Sequence, residues 1–442
     1  MPSSRSAQRS QTVAPYGVPV ALPESPAPLA WREVLGRADR ARGGLPVDVG
    51  LYLFSAIFAG VTAATSTLAP HRAWGAVAAA GYAGASLLAG IQWATRSTGV
   101  RGRAALAVAT FGAVALLPLV WQSIDRAVGR TDRAQEEVTV IEHGAGRLLD
   151  TGTPYLGRDA IAALPPDERL LGYLPYQPGM AVFGLPRAAA GTAAWTDARV
   201  WFAAVTVAAL AGAVVLLARA RTPGPPLVRA IQAATVVPVC ALTLATGGDD
   251  LPVLALCLLG FALAATHRWG LAGLAVGAAA VMKLFAWPVA VVLGTTAAVA
   301  RQGWWYAAGA VGIPVVTAVP ALLVDPGALV ENVLAYPFGR GLVTTPAASP
   351  LPGQLLATSV PGGRYLVYAL LASTGVAIAI ALVRRPPRTA ADAALWSGLG
   401  LLALTLLLPA TRFGYLLYPI ALLVWSVGLR SSTVESESVA TA

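Results

Sequence analysis

Residues 270–300 read GLAGLAVGAAAVMKLFAWPVAVVLGTTAAVA, an apolar run of 31 residues carrying a single charge, Lys283. An ammonium at the middle of one continuous membrane span would cost several kcal/mol by insertion scales. At the tip between two short helices it can reach water or an anion instead. The spacing therefore predicts two short helices meeting near Lys283. Because this is the only lysine in a chain whose Lys and Arg total 31, it is a candidate functional residue. The plainer alternative is a lysine that snorkels to an interface.

Outward from that run, most of the chain is equally apolar. Hydrophobic residues make up 56% and charged residues 12% of 442, about half the charge of a soluble domain. Apolar segments fall near 49–69, 75–95, 104–124, 199–218, 228–246, 251–266, 270–300, 304–324, 364–383, 391–409 and 413–429. Since a bilayer core takes about 20 helical residues, the chain reads as an all-α polytopic membrane protein. Arg32, Arg37, Arg40 and Arg42 precede the first span and place that end inside by the positive-inside rule. Threading onward puts Arg96, Arg101, Arg103, Arg219, Arg221, Arg229, His267 and Arg268 inside. Arg384, Arg385 and Arg388 must also be inside, so residues 270–300 cross an even number of times. The expectation is about twelve transmembrane helices with both termini cytoplasmic.

On this reading residues 1–48 form a cytoplasmic, partly disordered tail with a short helix around Trp31–Arg42 and no apolar stretch of signal-peptide type. Residues 49–95 form a transmembrane hairpin, 96–429 the main body, and 430–442 a disordered cytoplasmic tail. Three polar elements lie outside: 125–198, 247–250 and 325–363, the last rich in Pro and Gly and suited to a structured surface layer. Cys240 and Cys257 sit inside apolar runs and read as small hydrophobes. Dispersed arginines give the net charge of +10 the pattern of topology signals, so no nucleic-acid partner is expected.

The acidic segment 125–198 is where chemistry is expected, because a carboxylate near water stays ionised and can act as a base. It holds Asp125, Asp132, Glu136, Glu137, Glu142 and Asp150 among others. If 136–149 is helical, Glu137 shares a face with Ile141 and Gly144, whereas Glu142 lies about 140° round. The two cannot both point into one site. Glu137 is the preferred base, then Asp132 and Glu142; in a loop so rich in charge, a solvated acidic face is the competing reading for each. His143, beside Glu142, is the only histidine singled out. The chain carries no phosphate-binding glycine loop, nucleophile elbow or metal-spaced cluster; no metal ligand is singled out, and a metal is neither required nor excluded.

The succession EEVTVIEHGAGRLLDTGTPYLGRD, YLPYQPGMAVFGLPRA, GGDDLPVLALCLLGFALAATHRWGLAGLAVGAAAVMKLFAWP and LLPATRFGYLLYP resembles the polyprenyl-phosphate-sugar-dependent membrane glycosyltransferases of the GT-C superfamily, particularly glycosyltransferase family 87. The resemblance covers roughly residues 104–429. It rests on LLDTGTPY at 148–155, the Tyr173–Pro178 element, the GGDD turn at 247–250 and the glycine-rich helix pair holding Lys283. In that family the acidic loop usually follows the first span directly. Here two spans come first and look like an added hairpin. The family's acid is most often an aspartate a few residues before a tyrosine, and Val138 and Glu142 stand at about those places.

The resemblance implies transfer of a sugar, mannose or arabinofuranose, from a polyprenyl-phosphate donor to a hydroxyl of a glycolipid or glycan, with inversion and a carboxylate base. Such a reaction needs cations for the departing phosphate, and Lys283, Arg340 and Arg412 are the candidates. Asp249 and Asp250 either orient a sugar hydroxyl or Lys283, or cap the helix beginning at Leu251. Tyr155, Tyr173, Tyr176, Trp287, Tyr336 and Tyr415 are placed to stack on sugar or line a lipid groove, although interfacial belts use the same residues. No cofactor is called for beyond the donor lipid. An alanine-rich, arginine-over-lysine composition suits a GC-rich bacterial source, so the plasma membrane is the expected location and cell-envelope glycans the expected acceptors. A lipid-linked-sugar transporter or flippase is the alternative; it would show repeat symmetry and ionisable residues near midplane, and only Lys283 fits.

Overall fold

A computed structural model of the chain describes residues 30–97 and 99–440. The run at 270–300 folds as two helices, Trp269–Ala280 and Ala286–Val299, with Lys283 in the turn between them. Pro288 is tolerated because it stands in the first turn of the second helix, where its missing N–H costs no internal bond. The first helix crosses helix Gly303–Val324 at very short range. A Cβ on Gly273 would lie 2.1 Å from the Tyr306 carbonyl oxygen, and one on Gly277 2.3 Å from that of Gly309. Two glycines four apart thus let the backbones touch, the packing that membrane helices use where water drives nothing.

Among the described residues the structure is helical with no strand. Eight helices are long and apolar enough to cross a membrane by themselves, fewer than the twelve expected. The difference lies in four segments. Gly224–Thr235 and Pro238–Thr246 are bent by 43° where Pro238 interrupts the ladder. Asp250–Ala265, Trp269–Ala280 and Ala286–Val299 have 16, 12 and 14 residues, below the ~20 that span a bilayer core.

Helices Leu45–Thr65 and Ala69–Ala94 form a hairpin that is bonded into the body. Pro118 offers no N–H to the Val114 carbonyl four residues back. Trp74 of the hairpin donates its indole N–H to that oxygen at 2.7 Å. Likewise the Val236 carbonyl, at the bend before Pro238, accepts the Tyr82 hydroxyl at 2.7 Å. Both repairs supply the partner that a buried carbonyl in an apolar setting requires. At the end of the hairpin where the chain enters, Arg103 donates to Asp48 at 2.6 Å and Arg229 to Asp39 at 2.7 Å, and Arg229 also pairs with Asp48.

Of the N-terminal tail, residues 1–29 lie outside the described residues; helix Ala30–Arg40 then leads into the hairpin. The final helix runs Leu417–Ala440. No Pro or Gly follows Gly428, and extending an existing helix needs no new nucleus. Residues 441–442 are outside the description.

All three polar segments gather at one end of the bundle. Helix Glu136–Thr151 abuts the 247–250 turn: the Gln135 N–H donates to the Thr246 carbonyl at 2.9 Å. Gly247, at φ 114°, stands so close that a Cβ there would lie 2.2 Å from Val138 Cγ2. Residues 325–363 join through Glu331, which accepts from Tyr173 at 2.7 Å and from Arg158 at 3.0 Å.

Candidate active site

Where those segments meet, Lys283 donates to Asp249 at 2.7 Å and to Asp250 at 2.6 Å. All three side chains are buried, with Asp249 only 1% exposed. Helix Asp250–Ala265 begins there, yet Asp249 makes no side-chain cap bond. Its carboxylate serves the lysine instead, and its Oδ2 is buried with no hydrogen-bond partner. Tyr418 closes the group by donating to Asp250 at 2.9 Å.

Aromatic rings wall the ammonium. It lies 5.2 Å from the Tyr176 ring centroid and 5.5 Å from that of Tyr415, while Phe285 packs on Tyr415 and Tyr418 at 4.7 and 5.2 Å. The Tyr176 segment is pinned to the lysine turn by backbone bonds from Gln177 to Met282 at 3.1 Å and from Gly179 to Val281 at 2.9 Å. Tyr155 fixes it from behind, donating to the Tyr176 carbonyl at 2.8 Å.

Glu137 reaches the same place from helix Glu136–Thr151. Its Oε1 is ion-paired with Arg412, whose extended backbone follows the short parallel bridge between Ala348 and Thr411. Bonds from Ser349 N–H to the Thr411 carbonyl and from Thr411 N–H to the Ala347 carbonyl, each 2.9 Å, hold that bridge. Segment 325–363 therefore sets the position of Arg412. Tyr176 lies within electrostatic reach of Asp249, Glu137 and Arg412 together, which makes the lysine group and the Glu137–Arg412 pair one cluster.

Three carboxylates face two cations, so the cluster carries one excess negative charge. Burial pushes the Asp249 carboxyl up to about 6 against the pull of Lys283, with Asp250 adding to the rise. For Lys283 burial works against the charge, but Asp249 and Asp250 outweigh it and raise the ammonium above its ordinary value. Burial likewise opposes the charge on Arg412, and Glu137 more than restores it.

Several residues singled out in the sequence stand elsewhere. Asp132 is exposed and paired with Arg130 at 3.2 Å. Glu142 points away from Glu137, binding Arg126 at 2.6 Å and Arg187 at 3.2 Å and accepting the Ala198 N–H at 3.2 Å. It belongs to a buried ion network with Asp197 and Arg199, which are 2.7 Å apart. His143 lines a separate cavity of about 570 Å³ with Arg126, Glu142 and Arg147; burial and then Arg147 lower its pKa. Arg340 is exposed and contributes its carbonyl to Arg158 at 3.1 Å.

Tyr418 was not anticipated, although its spacing three after Tyr415 at a helix start places both near one face. Nor was His71: from the hairpin it hydrogen-bonds Gln135 and lies within electrostatic range of Glu137 and Arg412. Among the described residues no group of three or more His, Cys, Asp or Glu side chains is arranged to hold a metal ion.

This arrangement offers a carboxylate with one oxygen tied to arginine, a buried aspartate with an unsatisfied oxygen, and a fixed ammonium between aromatic rings. Those are the parts for binding hydroxyls and accepting a proton from one. No curated protein and no solved structure matches the chain. The model of glycosyltransferase family 87 matches residues 173–411, which include Tyr176, Asp249, Asp250 and Lys283 and end one residue before Arg412. The chain belongs to glycosyltransferase family 87.

Proposed function

We propose that this glycosyltransferase takes its sugar from a polyprenyl-phosphate donor and places it on a hydroxyl of a cell-envelope glycolipid or glycan, with inversion at the anomeric carbon. The observation that carries the reading is the convergence of Glu137, Arg412, Asp249, Asp250 and Lys283 at one end of an apolar bundle. Glu137 is the general base. Arg412 holds Oε1 and fixes the carboxylate, while Oε2 accepts the proton of the attacking hydroxyl. Arg412, with the third N–H of Lys283, meets the charge that develops on the departing phosphate. The free Oδ2 of Asp249 accepts from a sugar hydroxyl, whose loss would strand a buried oxygen.

Counting the bent pair and each of the three shorter helices as a crossing beside the eight single spans is part of this proposal and makes twelve. Both termini are then cytoplasmic and the cluster faces outward across a bacterial plasma membrane. Mannose or arabinofuranose is the proposed sugar. The test is transfer by purified protein from a panel of radiolabelled polyprenyl-phosphate sugars, comparing wild type with Glu137→Gln. The variant is expected to lose transfer by 10²–10⁴-fold, the range of one general base, while inserting normally. Full activity in Glu137→Gln would overturn the assignment of the base, and no transfer from any member of the panel would overturn the donor.

A further inference from the structure

Among the described residues, five other than glycine adopt the left-handed backbone region: Arg42, Arg96, Arg221, His267 and Arg301. All five are basic. Each stands in a turn at the end of the bundle remote from Glu137, and four directly follow membrane helices. Glycine is the usual occupant of such turns, so a basic residue at every one concentrates positive charge on this face, where helix C-termini also favour it.

Of these residues His267 lines an open surface cavity of about 680 Å³, which Gln302, next to Arg301, also lines. Its mouth is polar, with His267, Arg268 and Gln302, and its wall is apolar, with Leu271 and Leu274. Arg268 is exposed and forms no ion pair or side-chain hydrogen bond among the described residues. Trp305, 65% exposed, lies at the edge, and its neighbour Trp304 is 79% exposed. Indoles of this kind settle at headgroup depth. Leu271 and Leu274 remain about half exposed although they belong to a membrane helix, so their wall continues into hydrocarbon.

Helix Asp250–Ala265 joins the Asp249 cluster to this mouth, and its 16 residues make the separation about 24 Å. The cavity is therefore no part of the sugar-transfer site. A polar, cationic mouth over an apolar wall at a membrane boundary matches one ligand class: a phosphate headgroup attached to acyl chains. We propose that this cavity seats an anionic phospholipid of the leaflet at that end, its phosphate on Arg268 and the His267 turn and its first acyl carbons along Leu271 and Leu274.

The experiment is native mass spectrometry on the delipidated full chain in a neutral detergent. Palmitoyl-oleoyl phosphatidylglycerol is titrated against phosphatidylcholine with the same chains, and glycerol 3-phosphate serves as the headgroup alone. The first phosphatidylglycerol is expected to bind about tenfold more tightly than phosphatidylcholine, as the gain of one charge-assisted contact allows. Arg268→Gln should remove the preference, Arg268→Lys should keep most of it, and Trp305→Ala should weaken both lipids. Equal affinity for the two lipids, or a preference that survives Arg268→Gln, would overturn the site. Glycerol 3-phosphate binding as tightly as the lipid would show a free-anion site and overturn the lipid assignment.

Discussion

Lys283→Met tests the core of the cluster most directly, because it keeps the side-chain length and removes only the charge. Asp249 and Asp250, 1% and 6% exposed, would then face each other with no ammonium between them, losing contacts of 2.7 and 2.6 Å. Removing one partner from a buried ion group costs about 3–5 kcal/mol. The sign of the pH dependence follows from Asp249. Its folded-state pKa already stands at about 6 with the lysine present and moves higher without it. A carboxyl raised above its unfolded value loses stability as pH rises through the folded value, so the penalty is smallest in acid and grows toward pH 8. Thermal unfolding of purified protein, followed by tryptophan fluorescence at pH 5 and pH 8, reads both effects. The triple variant Lys283→Met, Asp249→Asn, Asp250→Asn removes all three charges and should recover most of the loss. Unfolding of Lys283→Met at the wild-type temperature, or a triple variant no better than the single one, would refute the buried ion group.

Three other outcomes are expected. Asp197, whose rise by burial is outweighed by Arg199 and Arg126, has its pKa lowered from 3.8 to about 2; it contributes about 2 kcal/mol that is present above pH 3.8 and lost as pH falls toward 2, and Asp197→Asn should remove that dependence in acid-unfolding curves. Tyr82→Phe leaves the Val236 carbonyl without its 2.7 Å donor and should cost about 1–3 kcal/mol, measured by denaturant unfolding, with sugar transfer at permissive temperature as the check on folding. Gly277→Ala puts a methyl 2.3 Å from the Gly309 carbonyl oxygen and should destabilise by about 1–3 kcal/mol through overpacking, whereas Gly312→Ala, which meets nothing within 4 Å, should be near neutral in the same assay.

The break at Lys283 could be read from sequence because a lone charge in a 31-residue apolar run leaves few physical options. The opposed directions of Glu137 and Glu142 were legible for a similar reason, since helical rotation is local arithmetic. What Glu142 does was not legible: its partners Arg126, Arg187 and the Ala198 N–H come from separate elements. His71 escaped notice because nothing local ties a hairpin residue to Gln135, 64 positions away. Counting spans by hydropathy also passes over length, so helices of 12–16 residues count the same as helices of 22. The two helices flanking Lys283 were legible as short because the lone charge marks the break between them, whereas Asp250–Ala265 carries no such mark.

The two bonds from Trp74 and Tyr82 change what it would mean to shorten this protein. By sequence the first two membrane helices look like an appendage that a leaner chain might drop, leaving the catalytic body whole. Their side chains instead splint two fractured helices, and one of those fractures opens directly onto the segment that ends at the GGDD turn. Deleting the pair would leave carbonyl oxygens at Val114 and Val236 with no water to take over the donors' place. Trimming from the amino end should therefore begin to cost stability once it removes Asp39, the 2.7 Å partner of Arg229, and should fail abruptly once it enters the hairpin.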